Sequence, residues 1–137
     1  MMRNLNEKAK PTTLSSEELQ ATDGVLATWG VFTLLELGGS LNYLPENALQ
    51  AVSKLGVKIT IGNRGLQWPR PAECADQLIN ELGKYKPKWA QAVKWHYTEP
   101  GSIREQAVWH RLYKSTYHER IDKGRKWIAE RLNSTLH

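Results

Sequence analysis

Apolar residues recur at helical spacing along most of this chain. Val25, Leu26, Trp29, Phe32, Leu34 and Leu37 form a broad stripe, which predicts a helix capped by Asp23 and ended by Gly38-Gly39 through a left-handed cap. A short helix is expected just before it, from Ser15 or Ser16, with Glu17 and Glu18 in its first turn, where the helix dipole favours negative charge. Pro45 suits the first turn of another helix through Leu49, Val52 and Leu55, which stops at Gly56. Between Val57 and Pro71 the period changes. Val57, Ile59 and Ile61 alternate with polar residues as in a short strand, while Gly62, Gly65, Pro69 and Pro71 make the remainder an extended loop, a candidate lobe boundary or contact element. Pro71 and Pro87 then open helices through Cys74, Leu78, Ile79 and Leu82 and through Trp89, Ala92, Val93 and His96, and Thr98 to Gly101 breaks the chain. The expected fold is mainly α, a helical bundle with one short strand or extended loop near its middle.

Residues 102–131 carry a second kind of pattern, that of a helix-turn-helix. Ser102 with Glu105 makes a Ser-x-x-Glu capping box for the first helix, and Ser115 is placed to cap the second, with Thr116 and Glu119 in its first turn. Ala107 is small where a second helix would cross. Leu112 supplies an apolar turn residue, and Tyr117 and Ile121 lie four apart on one face of the last helix, which runs to about Leu132 with Ile128 also inward. Arg111 occupies the turn position that usually carries Gly, so either the turn is looser or Arg111 bears the strain. Domain organisation follows: a flexible segment over 1–14, a helical and loop region over 15–70, and a helical DNA-binding region over 71–137.

Charge sharpens this picture. The chain of 137 residues has a net charge of +5, and the excess is not spread evenly. Lys84 to Arg131 holds twelve Lys and Arg against five Asp and Glu, whereas residues 1–83 hold seven against nine. A basic half coinciding with the motif is the electrostatic footprint expected for phosphate. Lys114, Arg120, Lys123 and Arg125 are the expected phosphate contacts; Thr116, His118 and Glu119 are placed for base edges; Arg104 and Ser115 complete the DNA-binding set.

Other chemistry is less well supported. His96, His110, His118 and His137 show no pairing at a spacing that would build a metal site, there is no Gly-rich phosphate loop and no serine elbow, so neither an enzyme, a metal site nor a cofactor is expected. Cys74 reads as a buried thiol. Trp29, Trp89, Trp95, Trp109 and Trp127 fall at helical intervals and read as core, while Trp68 in the Pro/Gly loop could anchor a protein partner or plug the space between lobes. The most apolar stretch is too short and polar to span a membrane, and the N-terminus lacks the apolar core of a signal peptide, so a cytoplasmic protein is expected.

With these motifs placed, the chain resembles the phage late-gene antitermination protein Q family of the lambdoid type without a zinc finger. Trp29-Gly30-Val31-Phe32 resembles the family's Trp-Gly-x-Trp signature, with Phe32 at the second Trp, and Leu41-Asn42-Tyr43 resembles the segment after it. His96-Tyr97, Gly101-Ser102-Ile103-Arg104 and Ala107 resemble its lead into the helix-turn-helix, and Ser115-Thr116, Arg120-Ile121 and Gly124-Arg125 resemble the DNA-reading helix of primary sigma factors. The resemblance implies a factor in the bacterial host cell that binds double-stranded DNA near a late promoter, engages paused RNA polymerase with its sigma factor, and narrows the RNA exit channel so that terminators are read through. Self-association on DNA is compatible with it. Arg64 and Trp68 are then the candidate polymerase contacts. A phage regulator that does not load onto polymerase and a small terminase subunit are the rival readings, with an RNA-processing enzyme behind them.

Overall fold

The computed structural model describes residues 14–37, 60–62 and 65–136. Among them are five helices, α1 (Ser16–Glu36), α2 (Arg70–Tyr85), α3 (Pro87–Thr98), α4 (Ile103–Trp109) and α5 (Lys114–Leu136). Two short strands, β1 (Thr60–Gly62) and β2 (Gly65–Gln67), pair antiparallel with Ile61 opposite Leu66. The chain is mainly helical, and the helices pack as a bundle. None is long and apolar enough to cross a membrane.

Two helices expected at the N-terminus are one. Ser15 caps α1 through a capping box: its hydroxyl accepts from the Glu18 amide at 3.1 Å, and the Glu18 carboxylate accepts from the Ser15 amide at 2.9 Å. Nothing after that cap forces a second start. Thr22 and Leu26 turn inward on one continuous face, and Gly24 costs a helix only about 1 kcal/mol. Asp23 is therefore mid-helix, and its carboxylate is used elsewhere, on Tyr97 and Arg125. The expected Gly38-Gly39 cap, the helix over Pro45 to Leu55 and most of the expected strand lie outside the described residues. β2 occupies part of the segment read as loop.

Pro71 and Pro87 stand in the first turns of α2 and α3, where a missing N–H costs no helical bond. The central core takes Leu26, Ala27 and Trp29 from α1, Ala72, Ala75, Leu78, Ile79 and Leu82 from α2, Ala90, Val93 and Tyr97 from α3, and Ile128 and Leu132 from α5. Elements on both sides of residue 70 thus share one core. Trp29 adds a directed bond, its indole N–H donating to Asp76 Oδ1 at 2.9 Å.

Helix α3 touches its neighbours backbone to backbone at two glycines. A Cβ on Gly30 of α1 would lie well inside van der Waals contact of the Tyr97 carbonyl oxygen. One on Gly124 of α5 would lie 2.6 Å from Val93 Cγ2 and 3.2 Å from the Trp89 carbonyl oxygen. Both helices can approach α3 this closely only without a side chain there. Across the same seam, the Tyr97 hydroxyl donates to Asp23, and Arg125 reaches Asp23 Oδ1 at 3.4 Å.

Glycine-to-alanine substitutions should separate contact from propensity. Gly30→Ala overpacks backbone that cannot yield and is expected to cost about 3 kcal/mol or more. Gly83→Ala, where the nearest atom to the added Cβ is that of Ala90 at 3.9 Å, should instead stabilise by up to ~1 kcal/mol through helix propensity. Denaturant unfolding of the two variants checks the contrast, and equal effects would contradict the close approach.

Candidate nucleic-acid interface

The segment following α3 builds a corner from two helices. Ser102 caps α4 by the expected capping box: its hydroxyl accepts from the Glu105 amide at 3.2 Å, and its own amide donates to the Glu105 carboxylate at 2.9 Å. Ala107 is buried with Ala92 of α3 and with Tyr117 and Ile121 of α5, so a small residue lies where α4 meets the other two helices. Leu112 packs on the same cluster.

The turn is closed by backbone bonds. The Arg111 amide donates to the Val108 carbonyl at 3.1 Å and the Leu112 amide to the Ala107 carbonyl at 2.9 Å, the paired bonds of a left-handed helix ending. Arg111 takes the left-handed conformation itself, with φ of 57°. Of the two alternatives open at that position, the turn is tight and Arg111 bears the strain. One expectation is corrected here. Ser115 does not cap α5, because the turn is complete at Leu112 and the Tyr113 carbonyl already accepts from the Tyr117 amide at 3.0 Å; Ser115 lies inside the first turn.

A fully buried amide, Gln106, joins the corner to the bundle. Its Nε2 donates to the Glu99 carbonyl at 2.9 Å, with longer approaches to the Pro100 and Gly101 carbonyls, so it serves the end of α3, where helix carbonyls lack partners. Its Oε1 accepts from the Tyr117 hydroxyl at 2.8 Å and lies 3.2 Å from His96 Nδ1. Burial holds the His96 pKa below its ordinary value and pushes that of Tyr117 up. Beside this joint the His110 ring stacks on Trp95, centroids 3.5 Å apart, and its Nε2 meets Glu99 Oε1 at 2.7 Å. Sequence reading passed over Gln106 and the Glu99–His110 pair. The one available signal was Gln106 lying next to Ala107 at the inward edge of a short helix.

The expected DNA-binding residues do not all stand alike. Ser115, His118 and Glu119 are exposed on the first two turns of α5, and Thr116 is half-buried beside the turn. Lys123 is exposed but pairs with Glu119 at 3.0 Å, and Lys126 pairs with Asp122 at 3.1 Å. Such exposed i, i+4 pairs are worth only about 0.3–0.5 kcal/mol, so a phosphate can displace the carboxylate. Arg104, Arg111, Lys114 and Arg120 form no ion pair with another described residue. Arg125 departs from its expected role: its guanidinium is turned to Asp23, Tyr97 and Asp122 and ties α5 to α1.

The aromatic residues also redistribute. Trp29 is buried and Trp89, Trp95 and Trp127 are half-buried, but Trp109, read as core, is 53% exposed. The physical reason is the shortness of α4, whose inward face is filled by Gln106 and Ala107 and leaves its last residue on the rim. Trp68 is half-buried, its ring tilted at 5.6 Å from Phe32, and it lines an open cleft of about 430 Å³ with Glu36, Arg70 and Asp76. Arg64 lies outside the described residues. No three His, Cys, Asp or Glu side chains gather among the described residues as a metal would require.

Two variants follow from the turn and the joint. Arg111→Gly relieves a left-handed conformation worth roughly 1–2 kcal/mol but frees the unfolded chain, so stability should stay level or rise by up to ~1 kcal/mol, whereas Arg111→Val should lose about 1 kcal/mol or more. Thermal unfolding of both decides whether the turn is as described. For His96, a lowered pKa means that the folded state binds fewer protons than the unfolded state. Its contribution to stability is full above about pH 6.5 and is lost as pH falls below that value. Unfolding free energy measured at pH 7.5 and 5.5 should fall on acidification, and His96→Gln should reduce that fall; an equal fall in the variant would contradict the assignment.

Comparison with known proteins gives no matching family, no matching curated protein and no matching solved structure, so the reading of this surface rests on its own chemistry.

Proposed function

We propose that the chain is a phage transcription antitermination factor that binds double-stranded DNA through α4, the turn and α5, read as a helix-turn-helix, and modifies RNA polymerase so that it passes terminators. The observation that carries the DNA half is the corner itself. A short capped helix crosses a long one at the buried Ala107, a closed turn fixes the angle, and the first turns of α5 leave Ser115, His118 and Glu119 exposed, with Thr116 half-buried beside them. Four cations with no ion partner among the described residues, Arg104, Arg111, Lys114 and Arg120, lie on α4, the turn and the first two turns of α5. In this reading the cations hold phosphates, and the side chains at the start of α5 meet base edges in the major groove. Lys123 joins them by exchanging Glu119 for phosphate.

The antitermination half rests on the sequence resemblance. Two of the segments that carry it, Trp29-Gly30 and His96-Tyr97, meet in the bundle, where Gly30 lies against the Tyr97 backbone. That pairing supports treating them as one structural signature. Trp68, packed against Phe32, supports a plug more than a free anchor for polymerase.

Two assays divide the proposal. Lys114→Ala with Lys123→Ala should weaken binding to duplex DNA of any sequence and flatten the dependence of log affinity on log salt by about one unit per lost phosphate contact. Unchanged affinity and slope would remove the DNA half. Transcription in vitro across a strong terminator should give increased read-through when the protein is added to polymerase paused near its promoter. DNA binding without read-through would leave a regulator that does not load onto polymerase.

A further inference from the structure

Three of the five large apolar side chains most exposed among the described residues fall within six positions, Val108, Trp109 and Tyr113, with Tyr113 83% exposed. Exposed apolar side chains grouped along one turn of the chain are a candidate contact site. Tyr113 shares an open cleft of about 450 Å³ with Arg111, Leu112 and Thr116. Arg104, Arg111 and Lys114 lie in the same short stretch with no carboxylate partner among the described residues, while Lys123 and Lys126 further along α5 are each paired with one. Arg111 is also held at φ of 57°, where Gly would rest without strain. A strained position that keeps a guanidinium points to use of that guanidinium.

Aromatic rings interleaved with unneutralised cations are suited to one class of ligand: exposed rings stack on a base, and the cations take its phosphates. A base inside an intact duplex offers only its edge. We infer that the turn between α4 and α5 captures an unpaired base, with Tyr113 as the stacking ring, Trp109 as a second, and Arg111 and Lys114 on the flanking phosphates. The preferred ligand of the site is then DNA with a locally opened segment. This rests on the DNA-binding reading above and specifies the form of DNA that the same corner takes.

The test is fluorescence anisotropy with a labelled duplex of arbitrary sequence and the same duplex carrying a central run of mismatches. One stacked base should make the protein bind the mismatched probe about tenfold more tightly, equivalent to ~1.4 kcal/mol. Tyr113→Ala should abolish that preference while changing duplex affinity less than about twofold, and Tyr113→Phe should restore it, since the ring and not the hydroxyl stacks. Arg111→Gly, expected to fold at least as well as the parent, should weaken binding to both probes. Equal affinity of the parent for the two probes would overturn the inference and leave duplex binding standing. So would an unchanged preference in Tyr113→Ala with Trp109→Ala, which would place the base-capturing site away from these rings. Failure to bind either probe would remove the DNA-binding reading together with it.

Discussion

One buried amide fixes where the candidate surface stands. Gln106 donates to the last carbonyls after α3 and accepts from the Tyr117 hydroxyl of α5, while its own backbone belongs to α4. Three helices therefore meet on a single side chain in a site without solvent. Such a group is costly to leave unsatisfied, about 1–3 kcal/mol for each missing partner, so the geometry that satisfies all of them is strongly selected over alternatives. The direction in which α5 leaves the turn depends on that joint. Stacking of His110 on Trp95 and its contact with Glu99 fasten the end of α4 to α3 beside it.

The joint needs a rigid platform, and the glycine contacts provide one. Gly30 and Gly124 let α1 and α5 close on opposite partners along α3, and the Asp23, Tyr97 and Arg125 contacts then link all three helices across the seam. Apolar packing from α2 completes the core. This division of labour explains the distribution of charge. Arg125, near the middle of α5, is committed inward, whereas the cations at the turn have no ion partner among the described residues. Along α5, the cations with no ion partner among the described residues, Lys114 and Arg120, both lie in its first half, before Lys123, Arg125 and Lys126, which are paired.

Much of the fold was legible because it is encoded locally. The capping box at Ser102, the prolines opening α2 and α3, the inward Ala107, Tyr117 and Ile121, and the left-handed position at Arg111 all depend on a few neighbouring residues. What was not legible depends on partners far along the chain. Asp23 reads as a cap because Asp is a good cap, and only the approach of Tyr97 and Arg125 makes it a mid-helix anchor. Arg125 reads as a phosphate ligand for the converse reason, since periodicity does not tell that α1 brings a carboxylate to it. Trp109 has the spacing of a core residue, but α4 ends too soon to bury it. Gln106 carries no signature at all, because a buried glutamine is identified by its partners and not by its neighbours.

The central claim is that the corner formed by α4, the turn and the first half of α5 is the surface that meets nucleic acid. Amide chemical shifts followed by NMR during titration with duplex DNA test it residue by residue. The account predicts that shifts concentrate over Arg104 to Lys123, largest at Arg111 to His118, with α1 and the first turns of α2 unaffected. Shifts centred instead on Lys84 to Lys88 and Trp127, with the turn unmoved, would contradict it.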